Sequence, residues 1–428
     1  MRSSLVVWDE ATGTNDAECA DQCGPLFPRG FVYTSTMNLR LGLRGGLSAV
    51  LVVAGIACGS SGGSDPGPTG NDGGRPGDTD GGSTADGSGG TDGSDADTTL
   101  DSAPPGPCVL PALTLKAATL AGCDVSGKTN GARGIGLFAN PTNTLIGPDG
   151  TTYVSDFDND LLRAVDATGT TKTIVKKSEF RRPFGMANAP GGKLYVQTDD
   201  NDMGMRSTST GTIWLVDPAT ADATVLARNL GRPRGLAVLG DGRIAMADYQ
   251  HAVVSIFDPS NATVTPLAGT ADMPGYVNDT GAAARFSLPY DVVVLANGDL
   301  AVSDTANHRI RRVTMAGVVS DFAGSGAIGN GDGPSATATF DAPQGLAISG
   351  SVLYVSDVHQ HVIRKIVADQ VTTFAGDGTL GWLDSADPKT AKFFGLEGID
   401  VDATRLVIAD GNGGNDMPFN HIRVIHLN

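Results

Sequence analysis

"VSDTANHRIRRVT", residues 302–314, reads as a short apolar strand, an aspartate, a turn and a second, basic strand. His308 follows Asp304 by four positions. The stretch is therefore either a histidine–carboxylate pair set up for chemistry or one copy of a repeated structural unit. Counting its copies decides between the two.

Five more copies are present. In each, an apolar residue stands three before a turn residue, and an Asp closes the strand that follows. The sets are Phe138, Pro141, Asp156; Phe180, Pro183, Asp199; Leu230, Pro233, Asp248; Phe286, Pro289, Asp304; Phe340, Pro343, Asp357; and Phe393, Leu396, Asp410. The Asp lies 14 to 16 residues after the turn residue, and copies recur every 42 to 56 residues. That period belongs to propellers and solenoids. Each copy reads as four short strands, such as "GLAIS", "VLYVS", "HVIRKIV" and "QVTTFAG" in the fifth. The first two strands are nearly continuously apolar, as in a sheet covered on both faces. Helical periodicity is absent, which excludes a helical solenoid.

After "HIRVIHL" (421–427) no fourth strand remains for the last copy. A matching strand stands at the other end of the domain: "LKAATLAG" (115–122) aligns with "ATVTPLAG" (262–269) and "VTTFAG" (371–376). The first strand is therefore expected to complete the last blade and remove the free sheet edges. The fold class predicted is all-β, a six-bladed β-propeller over residues 108–428.

Residues 300–345 resemble NHL repeats, and the resemblance extends over about 110–428, most specifically in copies four to six. It too implies a six-bladed propeller. Enzymes share this scaffold. Peptide-amidating lyases, which are similar, hold zinc through a His directly after the turn residue. Those positions here are Thr142, Phe184, Arg234, Tyr290, Gln344 and Glu397, none of them His. Gluconolactonase-like propellers hold a divalent cation with Glu, Asn and Asp; Asp400, Asp402 and Asn188 are the residues on offer for that role.

His251, His308, His361 and His421 all stand near the start of a third strand. Catalysis needs unlike groups converging on one point, whereas ring-related residues sit on different blades. The reading is structural: each Asp accepts backbone N–H groups in its turn. No catalytic residue is assigned. By analogy with the lyases, the varied ring Thr142, Phe184, Arg234, Tyr290, Gln344 and Glu397 faces the channel mouth, as a fixed scaffold carrying varied side chains does in repeat proteins. It is the expected ligand-binding set. Two loops, 198–211 and 410–420, carry Asp200, Asp202, Asn412 and Asp416, weak candidates for Ca²⁺; no other cofactor is expected.

The remaining sequence addresses location. Net charge is −17, but 59–107 contributes −8 of it, with nine Asp and one Arg. That balance excludes a nucleic-acid partner. The segment 59–107, rich in Gly, Ser and Asp, cannot offset the entropy of ordering itself and is expected to be a flexible tether. Residues 37–58 read as an export signal: Arg40 and Arg44, then eleven apolar or small residues from Leu47 to Ala57, too few to span a bilayer. Residues 1–36 then form an extension outside the fold. "AGIAC" (54–58) resembles a bacterial lipobox, departing at Gly55 where Leu is usual, which implies lipidation at Cys58. Cys108 and Cys123 remain as an even pair for an oxidising compartment, either bridged or held apart by an extended strand.

The expectation is a monomeric bacterial envelope protein, an outer-membrane lipoprotein or else a secreted or periplasmic one. Its membrane contact would be through the lipid anchor, and its role non-catalytic binding of a protein, peptide or glycan at the cell surface. The alternatives are a metal-dependent hydrolase or lyase of the gluconolactonase type, and a structural envelope module with no dedicated ligand.

Overall fold

The computed structural model describes residues 108–201, 203–411 and 419–427. The extension, export signal and tether lie outside them, as do Asp202, Asn412 and Asp416. The described residues form six antiparallel sheets. Each blade begins with an innermost strand opened by the turn residue: Pro141–Ile146, Pro183–Ala189, Pro233–Val238, Pro289–Val294, Pro343–Ser349 and Leu396–Val401. Every one of these strands packs against that of the next blade, and the sixth packs against the first, so the ring closes. The fifth blade has an added short strand, Gly333–Pro334, on its outer edge.

Closure takes the expected route. Ala117–Cys123 pairs antiparallel with Asn420–His426 as the outermost strand of the sixth blade, with a bulge between Thr119 and Ala121. Thr119 fixes the strand: its N–H and hydroxyl donate to the two oxygens of Asp384, each at 2.9 Å. Asp384 in turn takes a hydrogen bond from Arg423 at 2.8 Å. Trp382 donates its indole N–H to the Thr119 hydroxyl. Cys108 and Cys123 are disulfide-bonded, with Cα atoms 6.1 Å apart.

There is no single core. Six apolar clusters each lie between two neighbouring blades. Strands such as Leu300–Asp304 are therefore buried along their whole length rather than on alternate residues. The repeated aromatics Phe138, Phe180, Phe286, Phe340 and Phe393 have no exposed surface; burying one contributes about 1.5–3 kcal/mol.

Five of the six repeat Asp residues work as turn anchors, while Asp199 takes the Gln197 amide and faces Arg234. Asp304 accepts from the Ser287 N–H at 2.7 Å and from Asn307 and Arg311. Asp156 does the same with Ala139, Asn159 and Arg163. In four blades a fully buried arginine completes the unit: Arg163, Arg311, Arg364 or Arg423. Each lies over its own repeat Phe, at 5.0–5.4 Å from the ring centre. Blades two and three depart from this. Trp214 packs on Phe180 in the second, and Ser255 occupies the arginine's place in the third, where Leu230 replaces Phe.

Candidate functional site

In four blades the residue before the turn proline adopts left-handed backbone: Asn140, Arg182, Leu288 and Ala342, φ 50–58°. Non-glycine residues rarely do so. The turn aims the residue after the proline inward, so Phe184, Arg234, Tyr290 and Glu397, from blades two, three, four and six, meet at the ring axis. Phe184 and Tyr290 are 5.6 Å apart edge to face, and the Tyr290 hydroxyl lies 3.3 Å from a Glu397 oxygen. Phe157 of the first blade and Tyr249 of the third complete the aromatic group. The Arg234 guanidinium lies over three rings, at 4.4 Å from Phe184, 4.5 Å from Tyr249 and 5.5 Å from Tyr290. It pairs with Asp199 at 3.6 Å. Burial works to lower its pKa; Asp199, then the two tyrosines and Glu397, outweigh that and raise it.

The six ring positions are therefore not an open surface. All but Arg234 are buried, and the Arg234 side chain is 12% exposed. Thr142 and Gln344 are buried too, and the Thr142 hydroxyl lies 3.5 Å from the Pro183 carbonyl of the next blade. Close approach of the blades also explains the glycines that follow several of these residues. A Cβ on Gly185 would lie 2.4 Å from the Arg234 carbonyl oxygen, and one on Gly398 would lie 2.1 Å from Asn143.

The four histidines occupy three settings. His308 Nδ1 accepts the Ala342 N–H of the next blade, so its role is to join blades rather than to hold its own turn. His251 bonds to Asp248 at 2.8 Å, which raises its pKa. His421 is stacked on Trp382, and burial followed by Arg423 lowers it to about 3. The fourth, His361, takes the same left-handed turn position as His308. Asp400, Asp402 and Asn188 are engaged with backbone. Asp400 accepts from Ile146 and Val401 N–H groups, Asp402 from Thr404 and Arg405, and Asn188 donates to the Ile146 carbonyl. Among the described residues, no group of three or more His, Cys, Asp or Glu could hold a metal ion. Asp200 has guanidinium neighbours, Arg182, Arg206 and Arg181, an environment that disfavours a cation.

Of the basic residues at the mouth, Arg234 belongs to the expected set, whereas Arg182, Arg206 and Arg232 were not singled out from the sequence. The turns of blades two and three read "FRRPFG" and "LGRPRG", whereas the other four turns carry no basic residue. Comparing only the residue after the proline passes over Arg182 and Arg232, just before it. Arg206 comes from the loop after Thr198, which is tied down at both ends. Asn201 accepts from the Met203 and Met205 N–H groups, and Gly211 exchanges backbone hydrogen bonds with Leu230 and Gly231.

A ring of six sheets, with its varied residues gathered at one mouth, makes this chain a six-bladed β-propeller carrying an NHL repeat. The family model "NHL repeat" matches residues 286–313, in the fourth blade. The chain is similar to NHL repeat-containing protein 2 of Homo sapiens, 40% identical over 84 residues, which are 19% of this chain and 12% of that protein. The match thus spans about an eighth of the relative's length. Two solved structures are similar in fold. An auxiliary nutrient binding protein from Bacteroides thetaiotaomicron matches at 17% identity and a TM-score of 0.58, over 73% of this chain and 76% of that one. One from Bacteroides ovatus matches at 20% identity and a TM-score of 0.56, over 72% and 75%.

Proposed function

We propose that this protein is a non-catalytic binding module, displayed at the bacterial cell envelope by a lipid on Cys58 and an acidic tether, that takes a ligand at the mouth of its ring. One observation carries the reading. Side chains from five of six blades break the repeat pattern and converge at that mouth, with three rings around Arg234. A repeat scaffold that varies only where its units meet provides a recognition surface. The nutrient-binding description of two similar folds agrees with such a role. The oxygens of Asp400 and Asp402 are taken up by backbone N–H groups, which weighs against the lactonase-type alternative.

The test is a panel of envelope peptides and glycans screened by calorimetry against the wild type and Tyr249→Ala. Tyr249 is half-buried at the mouth. A ligand that binds the wild type and loses about tenfold or more in affinity in the variant supports the reading. Hydrolysis or elimination of a panel member by purified protein supplied with divalent cations would replace it with the enzymatic one.

A further inference from the structure

The rim between the second and third blades holds five arginines and several carboxylates, and their pairing is uneven. Arg181 lies 3.7 Å from Asp160, Arg182 lies 4.0 Å from Asp200, and Arg234 lies 3.6 Å from Asp199. Asp158 is also within the field of Arg182 and Arg206. Arg206 and Arg232 have no ion-pair or hydrogen-bond partner for their guanidinium groups among the described residues. For Arg206, an exposed residue, water supplies the missing partners. Arg232 is only 5% exposed, and its Nε is buried with nothing to donate to. A buried polar group left unpaired costs about 1–3 kcal/mol, more if charged. The Nε of each turn arginine makes no hydrogen bond either, but their other nitrogens are bonded, whereas the Arg232 guanidinium has no partner at all among the described residues.

The acceptors show the complementary pattern. Asp199 Oδ2 and Asp200 Oδ1 are buried and make no hydrogen bond, their contacts being the ion pairs to Arg234 and Arg182 at 3.6 and 4.0 Å. Unused donors therefore stand beside acceptors that are held only at ion-pair distance. Arg182, Arg206 and Arg232 are close enough that, after burial, the other two lower the pKa of Arg206. An incoming negative charge relieves that repulsion. Aromatic surface is adjacent in Tyr249, and Met203 and Met205 stand 72% and 54% exposed on the same loop. A ligand that satisfies all of this has a carboxylate, hydroxyl donors, and a ring with an apolar face.

We propose that the Arg206–Arg232 side of the mouth binds the carboxylate of an acidic sugar, whose hydroxyl groups donate to Asp200. The proposal rests on the binding reading above and names the class of ligand. The carboxylate accepts from the two guanidinium groups, and the sugar ring lies against Tyr249. Neutral sugars leave Arg232 unpaired, and simple anions leave Asp200 with no hydrogen bond beyond its 4.0 Å contact to Arg182. Specificity therefore comes from both sets of groups together.

The experiment is calorimetric titration of the full propeller with trigalacturonate, maltotriose and inorganic sulfate, at low and physiological salt. Arg206→Ala and Arg243→Ala are run alongside. Arg206 is exposed, so its loss spares the fold, and Arg243 is an exposed arginine already paired with Asp241. The expected result is binding of trigalacturonate that exceeds maltotriose and sulfate, weakens with salt, drops about tenfold in Arg206→Ala and is unchanged in Arg243→Ala. Equal binding of maltotriose and trigalacturonate, with sensitivity to Tyr249→Ala, would overturn the acidic-sugar assignment while leaving a binding mouth in place. Sulfate binding as tight as trigalacturonate would reduce the site to a simple anion site. Absence of trigalacturonate binding, while a panel peptide binds at the mouth, would also overturn it.

Discussion

Asp291 is a carboxylate without a cation. It sits two residues after a turn proline, where four blades have glycine, and its oxygens accept from the Val292 N–H and, in the next blade, the Leu346 N–H, both at 2.8 Å. Burial pushes it up to about 7; the two amides pull the other way, and Asp400 adds to the rise. In the unfolded chain an Asp titrates near 4. Between about pH 4 and pH 7 the folded protein thus holds a proton that the unfolded chain has lost, so stability falls as pH rises through that window. Asn143 holds the equivalent place in the first blade and bonds the following N–H in the same way, so the site accepts an amide. Asp291→Asn should raise the melting temperature at pH 8 and leave it close to wild type at pH 4.5. A gap of equal size at both pH values in scanning calorimetry would contradict this. Individual residues were also the scale least legible in the sequence. The repeat Asp and Phe could be found by alignment because they recur. The pairing of Arg232 with nothing, or of Asp291 with a neighbouring blade, depends on what lies across a blade boundary. Spacing along one chain carries no such information.

At the scale of the blade, the recurring device is an aspartate, an arginine and a phenylalanine stacked inside a turn. In the fourth blade Arg311 bonds Asp304 away from water, and the Arg285 and Val277 carbonyls and Asn278 nearer the surface. Removing one partner strands the other charge in the interior, which typically costs about 3–5 kcal/mol. Arg311→Ala should therefore lower the urea-unfolding free energy by roughly that amount. Adding Asp304→Asn should cost much less than a second independent loss, so the cycle reports coupling. Additive effects would mean that the pair is not a unit. Blades two and three lack this arginine; the sequence resemblance is weaker in copies one to three, of which blade one keeps it. The same departure turns Asp199 toward Arg234 at the axis rather than toward a turn of its own blade. Strand positions were legible because continuous apolar runs match sheets covered on both faces. The arginine of the turn was passed over because a basic residue within a strand looks like ordinary solvent-facing alternation.

For the whole ring, stability depends on a strand from the other end of the chain. The pairing of 117–123 with the last blade was legible in advance because the last copy was one strand short and the surplus strand matched the missing one. What the sequence concealed was how the strand is held, through Thr119, Asp384 and Arg423. Without it, the third strand of the sixth blade would present an open edge, and the buried faces of Ala118, Leu120 and Ala121 would be lost from the cluster joining blades six and one. Deleting residues 108–123 should replace one sharp thermal transition with a broad one and increase aggregation, read by calorimetry together with light scattering. Retention of a single sharp transition would count against closure as the source of cooperativity.

That same pairing sets an order of events during synthesis. Ala117 bonds opposite Ile425, 308 positions later, so the seal cannot form until almost the whole chain has left the ribosome. Until then the molecule is an unfinished arc with two exposed ends, and contacts this distant in sequence form slowly. The blade that closes the ring is thus the one whose paired strands are made furthest apart in time.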